Sequence, residues 1–375
     1  MNEKNIVIAS DSFKGTLSSL DICLLFEKEI ENRRGFSLTF LPLADGGEGS
    51  LDTIAMIKKG HFVGIEVNNL YFEKCKAHFY VDEDNNAYIE CASCAGFSLA
   101  KEDNNPGLVT TYGLGEQIKA AIELGIKNIY MFIGGSATND GGVGLASALG
   151  TKFYNKNNKS FVPTGLTLKD INYIDNRSTE ELLTNVSITI LSDVKSPLFG
   201  IEGAAYKFAP QKGATKEEVE LLDKGLRHLS DVIIKDLGKD VSSIHGSGAA
   251  GGLGGGLLAF ANAKMSSGIE TILDLIHFDE FIAHNDLVIS GEGKLDRQTL
   301  DGKVIDGIAK RCMKMNKPLY LIVGISELSL EEIQSIYPCV QKIFETNDRH
   351  IPFEEVKGRA KEDYQRKIKE LIYNL

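Results

Sequence analysis

No stretch of this 375-residue chain approaches the roughly 20 consecutive apolar residues that span a bilayer, so no membrane protein is expected. The opening, MNEKNIVIAS, runs straight into a strand-like segment. It lacks the charged start, long apolar core and small-residue cleavage site of a secretory leader. Basic charge is also short: 41 Lys and Arg face 52 Asp and Glu, the net charge is −11, and no basic stripe is present to attract nucleic acid. An anionic substrate must therefore be drawn by local lysines and helix N-termini, not by the overall field. The six cysteines are scattered. The CxxC pair Cys91 and Cys94 has neither a second pair nor a nearby histidine, so buried thiols are expected in place of a zinc or redox centre. These absences point to the cytoplasm.

Several catalytic signatures are missing too. There is no GxxxxGK[ST], which excludes a P-loop enzyme, and no Ser, His and Asp set in nucleophile-elbow form. The seven histidines contain no HExxH, so zinc hydrolysis also loses ground. Hydrophobic residues at 43% and charged residues at 25% are ordinary for a globular protein, and the length suits two or three domains. No linker, low-complexity or tandem-repeat segment interrupts the chain.

What is abundant is glycine at the ends of strands. Ile129 to Ile133 reads as a buried strand opening onto GGSATNDGGVG, Gly134 to Gly144, and then the helical Leu145 to Leu149. Glycine lets backbone come close to a ligand, and Ser136, Thr138, Asn139 and Asp140 can serve phosphate or a cation. A polar-capped turn is the alternative for that stretch alone. The pattern recurs, however. Ile6 to Ala9 ends in Ser10-Asp11-Ser12-Phe13-Lys14-Gly15, with Thr16, Ser18 and Ser19 as candidate caps of a helix to about Arg34. Leu38 to Leu41 ends in ADGGEGSLD, whose Asp45 and Glu48 suit either a helix first turn or Mg²⁺. Val186 to Leu191 opens onto SDVKSPLFG with Asp193, and FAPQKGAT brings Lys207 and Lys212 near a helix capped by Thr215. Leu287 to Ile289 feeds SGEGKLDRQTLDGK, which carries Glu292, Lys294, Asp296, Arg297 and Lys303.

GSGAAGGLGGG, Gly246 to Gly256, contains a literal GxGxxG, so a nicotinamide cofactor has to be considered. Val241 to His245 is too short and polar for the strand that such a site follows. Residues 1–64 and 286–375 share a strand-turn-helix rhythm and read as one open parallel α/β sheet domain. The alternating strands Phe62 to Asn68 and Lys74 to Val81 open an antiparallel region, so 65–285 reads as a mixed α/β domain inserted into the first.

Strand ends that repeat one composition, glycine with Asp or Glu and Ser, Thr or Lys, match the needs of phosphoryl transfer. That chemistry uses backbone donors, Mg²⁺ carboxylates, a cation on the developing charge and a base for the attacking hydroxyl. ASDSFKGTLSS, PLADGGEGSLD, GGSATNDGGVG, SDV…PL…G, PQKGAT, GAAGGLGGG and SGEGKLDRQTLDGK resemble, in order and spacing, the bacterial type-1 glycerate kinase family over roughly residues 4–345. The resemblance implies ATP-dependent phosphorylation of D-glycerate, usually at the 2-hydroxyl. It also implies a flavodoxin-like (Rossmann-like) domain, an inserted domain and a site in the cleft between them. Ser196 stands where the family commonly has Asn before the proline, Pro197 here.

Under that resemblance Asp193 is the first candidate base and Asp45 the second. Lys14, then Lys294 or Arg297, is expected to neutralise the glycerate carboxylate or the γ-phosphate. Asp11, Ser12, Gly15, Gly46 and Gly47 are expected at the substrates. So are Gly135, Ser136, Thr138, Asn139, Gly251 and Gly252, from loops that cradle phosphates through backbone N–H groups. Glu292, Asp296, Glu48 and Asp140 are the candidate Mg²⁺ ligands. Small-molecule partners and a homo-oligomer fit this reading. The rivals are an NAD-dependent oxidoreductase acting on a small hydroxy acid, and a non-catalytic sugar-acid or nucleotide sensor.

Overall fold

Short apolar runs rich in β-branched residues form the strands, and glycine or polar residues follow many of them. A computed structural model of the chain describes residues 3–13, 15–31, 33–43, 49–347 and 351–375. It divides into two compact units: Met1–Asp45 with Ile269–Leu375, and Gly46–Gly268. The second is inserted in the sequence of the first.

The first unit is built on a five-stranded sheet with spatial order Val340–Glu345, Leu319–Val323, Leu287–Ser290, Lys4–Ile8, Phe36–Phe40. Every pairing is parallel, which gives the expected open, flavodoxin-like sheet. Parallel strands are covered on both faces, and Val7, Ile8, Val288 and Ile289 are accordingly almost fully buried. One face packs under Ser19–Ile30 and Phe353–Tyr373, where Phe13 and Phe26 meet Tyr364 edge-on. Of the three candidate caps for the first helix, Ser18 does the work: its hydroxyl accepts from the Asp21 N–H in a capping box. The helix stops at Ile30, before the expected Arg34.

The second unit carries a six-stranded mixed sheet. Lys264–Ser266, Ser187–Leu191, Asn128–Phe132 and Asn86–Glu90 run parallel; Lys74–Asp82 and Gly60–Asn68 are antiparallel additions at one edge. The helix Ser50–Ile57 belongs here, its first N–H donating to Glu90 Oε1 at 3.1 Å. A long helix, Lys216–Leu237, begins at Thr215 with a capping box to Glu218, as its sequence signals. It shares a second core with Val143, Phe153, Leu168 and Phe260. Among the described residues, no helix is long and apolar enough to cross a membrane.

Candidate active site

In the first unit, a cavity of about 390 Å³ opens at the carboxyl ends of four parallel strands. Asp11 follows Lys4–Ile8 and Glu292 follows Leu287–Ser290, its neighbour in the sheet. From Lys4–Ile8 the chain goes to one side of the sheet and later returns to build the other. Asp11 and Glu292 therefore sit at the point where strand order reverses, which is where open α/β sheets hold ligands. Both carboxylates are 5% exposed. Asp11 Oδ1 accepts from the Ser12 N–H at 2.7 Å, and the Asp11 N–H donates to Gly291 O at 3.0 Å. A side chain at Gly291 would stand 1.9 Å from Ile322 O, so that crossing admits only glycine.

Glu292 accepts from Thr299 Oγ1. Thr299 is fully buried, and it is a residue that sequence reading missed. The signal was present as a capping box: Asp296 Oδ1 accepts from the Gln298 and Thr299 N–H groups while Thr299 Oγ1 accepts from the Asp296 N–H. Asp296, expected as a metal ligand, thus spends an oxygen on this cap. Lys294 lines the cavity and pairs with Glu327 at 2.8 Å and Asp296 at 3.4 Å, and the Glu327 contact raises its pKa above the ordinary lysine value. Arg297 lies outside the cavity lining; the nearby Glu332 carboxyl is held below its usual value first by hydrogen bonds from the Ser329 N–H and hydroxyl and then by the Arg297 charge. Gly15 adopts φ +81°, a conformation that favours glycine. Lys14, Asp45, Gly46, Gly47 and Glu48 lie outside the described residues.

In the second unit, the glycine-rich runs expected to act together do meet. The Gly141 N–H donates to Gly251 O at 3.1 Å, and the Gly248 N–H donates to Ser196 O at 3.0 Å. Gly251 has φ +68°, and a Cβ there would come within 2.1 Å of Thr138 O; one at Gly248 would come within 2.1 Å of Pro197 O. The GxGxxG glycines therefore serve close loop packing, and residues 241–245 ahead of them form no strand. Gly135 and Gly252 also have positive φ, +70° and +87°.

Asp140 is fully buried, and its oxygens are occupied. The Thr111 N–H and hydroxyl reach Oδ2 at 2.8 Å each; the Gly142 N–H reaches Oδ1 at 3.0 Å and the Gly144 N–H reaches Oδ2 at 3.3 Å. Burial still raises its pKa above the usual carboxylate value, the four donors opposing that rise. Its place in the structure is to hold the turn, a use that differs from the metal ligation expected of it. Among the described residues no group of three or more His, Cys, Asp or Glu is arranged to hold a metal ion. Ser136, Thr138 and Asn139 of the same turn are buried.

Lys212 enters this turn from the PQKGAT segment, donating to Thr138 O at 2.8 Å and to Ser136 Oγ at 3.2 Å. It is 5% exposed, and desolvation lowers its pKa to about 8. Asn104 ties the segment down, giving its amide to Lys212 O at 2.8 Å and to Ala137 O at 3.3 Å. Cys91 and Cys94 are free, buried thiols; burial pushes Cys91 up to about 12 and Cys94 well above its usual value, so thiolate is disfavoured at both. Asp193 follows Ser187–Leu191, and its Oδ1 accepts from Ser267 Oγ and the Gly268 N–H, each at 2.9 Å.

Residues 6–375 match the model of the glycerate kinase family. The glycerate kinase of Haemophilus influenzae is 37% identical over 356 residues, covering 91% of this chain and 93% of that protein. The glycerate 2-kinase of Escherichia coli K12 is 39% identical over 328 residues, 85% of this chain and 84% of its own length. A crystal structure assigned to glycerate kinase 2 of Salmonella typhimurium LT2 superposes with a TM-score of 0.84 at 34% identity, over 100% of this chain and 98% of that one.

Proposed function

Because the chain belongs to the glycerate kinase family, we propose that it transfers the γ-phosphoryl group of ATP to the 2-hydroxyl of D-glycerate, giving 2-phospho-D-glycerate and ADP. The family match over residues 6–375 carries this reading, and the E. coli relative's name favours the 2-position. In the step itself the hydroxyl oxygen attacks the γ-phosphorus. The new O–P bond forms as the bond to the β,γ-bridging oxygen breaks, ADP leaves, and the hydroxyl proton passes to a carboxylate.

Asp193 is that base in our assignment, with Asp45 second. The donors on Asp193 Oδ1 from Ser267 and Gly268 fix the carboxylate's orientation, as a general base requires. Lys14 neutralises the glycerate carboxylate or the γ-phosphate; Lys294, which already pairs with Asp296 and Glu327, can join with its remaining N–H. Asp11 and Glu292, two buried carboxylates on one cavity, fit a Mg²⁺ that needs only one or two protein carboxylates beside phosphate and water. When bound, Mg²⁺ supplies positive charge to the phosphate oxygens. We place the turn around Ser136 to Asp140 and the run Gly246 to Gly256 at the phosphates, where the donors would be backbone N–H groups not already given to neighbouring carbonyls, as those of Asn139, Gly248 and Gly252 are. We assign the enzyme to the cytoplasm.

The test is ADP release with D-glycerate, followed by separation of 2- from 3-phosphoglycerate. Asp193→Asn should lower kcat by about 10²–10⁴ with the circular dichroism spectrum unchanged, on the usual worth of a general base. Turnover near the parent rate would remove Asp193 from that role.

A further inference from the structure

Lys212 is a buried ammonium whose two hydrogen bonds both go to neutral oxygens, Thr138 O and Ser136 Oγ. An ammonium has three N–H donors, so among the described residues the third is unassigned. No described carboxylate accepts from it. Asp140 acts on it only through space, and the Asp140 oxygens are already taken by Thr111, Gly142 and Gly144. Burying a charge without a counter-ion is costly, and replacing such a group with an apolar one of similar size is often neutral or stabilising. The same turn holds a second anomaly. Asn139 is 0% exposed, and neither its amide oxygen nor its amide nitrogen has a hydrogen-bond partner among the described residues. Two polar side chains with unspent capacity, in a glycine-rich turn, describe a site completed by a ligand.

We propose that Lys212 binds an oxyanion of a substrate directly, at a subsite formed with the turn Ser136 to Asn139. A carboxylate and a phosphate share the chemistry that a buried ammonium recognises, and D-glycerate and the nucleotide are the two sources. The choice between these sources rests on the glycerate kinase reading; the existence of the anion site does not. Bound, the oxyanion takes the third N–H of Lys212 and supplies the missing counter-charge.

The experiment uses the full chain and Lys212→Met, with calorimetric binding of D-glycerate and of ADP measured separately, and thermal protection by inorganic phosphate. Lys212→Met should weaken one of the two substrates by about 10²-fold or more, the usual consequence of truncating one side of a buried charge pair. The ligand-free variant should melt no lower than the parent. Loss confined to D-glycerate identifies the carboxylate as the anion, and loss confined to ADP a phosphate. A melting temperature that falls, or affinities for both substrates within threefold of the parent, would overturn the proposal: Lys212 would then be a brace for the turn. If Lys212→Met does not fold, the ¹³Cε resonance of Lys212 in the parent, assigned with Lys212→Arg, decides. It should move on addition of at least one of the three probes, and no movement with any of them overturns the proposal. Should the parent show no kinase turnover while phosphate still protects it and not the variant, the glycerate kinase reading falls and the anion site stands.

Discussion

Lys212 and Asp140 occupy one buried cluster, and burial pushes their pKa values in opposite directions, the lysine down to about 8 and the carboxyl up. A lysine at about 8 in the native state and 10.5 when unfolded gives up its proton first in the native protein. Between those values the unfolded chain holds more protons, so stability rises with pH there. The groups facing the ammonium are Asp140 and Cys91, and Cys91 titrates only near 12. The buried thiols Cys91 and Cys94 act in the opposite sense, because burial raises them above their unfolded value and the native protein then holds the extra protons. The Lys212 contribution is therefore a difference: in urea unfolding of the ligand-free protein at pH 8, 9 and 10, the stability of the parent relative to Lys212→Met should rise with pH, and parallel profiles would contradict it. Sequence placed Lys212 in a motif yet gave no reason to single it out. Its partners Ser136 and Thr138 stand 76 and 74 residues away, and only the folded turn makes the ammonium anomalous. Asp140 was legible as important, but the four donors that absorb its oxygens come from Thr111 and from the turn's own backbone, which pattern reading cannot orient.

At the scale of elements, periodicity located most strands and the long helices, because an apolar run bounded by glycine or a cap has few other ways to fold. It missed the small sheet of Lys152–Tyr154, Ser160–Phe161 and Tyr173–Asp175, whose strands of two or three residues are too short to show a period. The antiparallel reading of Phe62 to Asn68 against Lys74 to Val81 agrees with the structure, where Gly60–Asn68 and Lys74–Asp82 pair antiparallel; what periodicity does not show is that Asn86–Glu90, antiparallel to Lys74–Asp82 on one side, pairs parallel with Asn128–Phe132 on the other. The convergence of the 134–144 and 246–256 runs rests on backbone contact that glycine alone permits, and this is testable with a matched pair. Gly251 and Gly238 share φ +68°, but a Cβ at Gly251 meets Thr138 O at 2.1 Å and one at Gly238 meets nothing within 4 Å. Gly238→Ala should cost about 1 kcal/mol, the price of the left-handed conformation alone. Gly251→Ala should cost about 2 kcal/mol more or worse, read from urea midpoints, because backbone must shift as well. Equal costs would mean that the two runs do not pack as described.

For the whole molecule, the division of the chain into 1–45 with 269–375, and 46–268, has a direct consequence for how it folds. Residues 46–268 contain two buried cores of their own, around Ile129 and Met131 and around Leu222 and Leu226. Expressed alone, this segment should unfold cooperatively, with the amides of Asn128–Phe132 protected from hydrogen exchange; a segment without such protection would refute its autonomy. Lys4–Ile8 has no such independence. It lies inside its sheet between Phe36–Phe40 and Leu287–Ser290, and 281 residues separate Ser10 from the Gly291 it touches. At about 5–20 residues per second, the ribosome needs roughly 15–60 s to deliver the missing neighbour. For that interval a nascent, sticky ribbon waits with one flank bare, which makes this end of the polypeptide a natural client for chaperones.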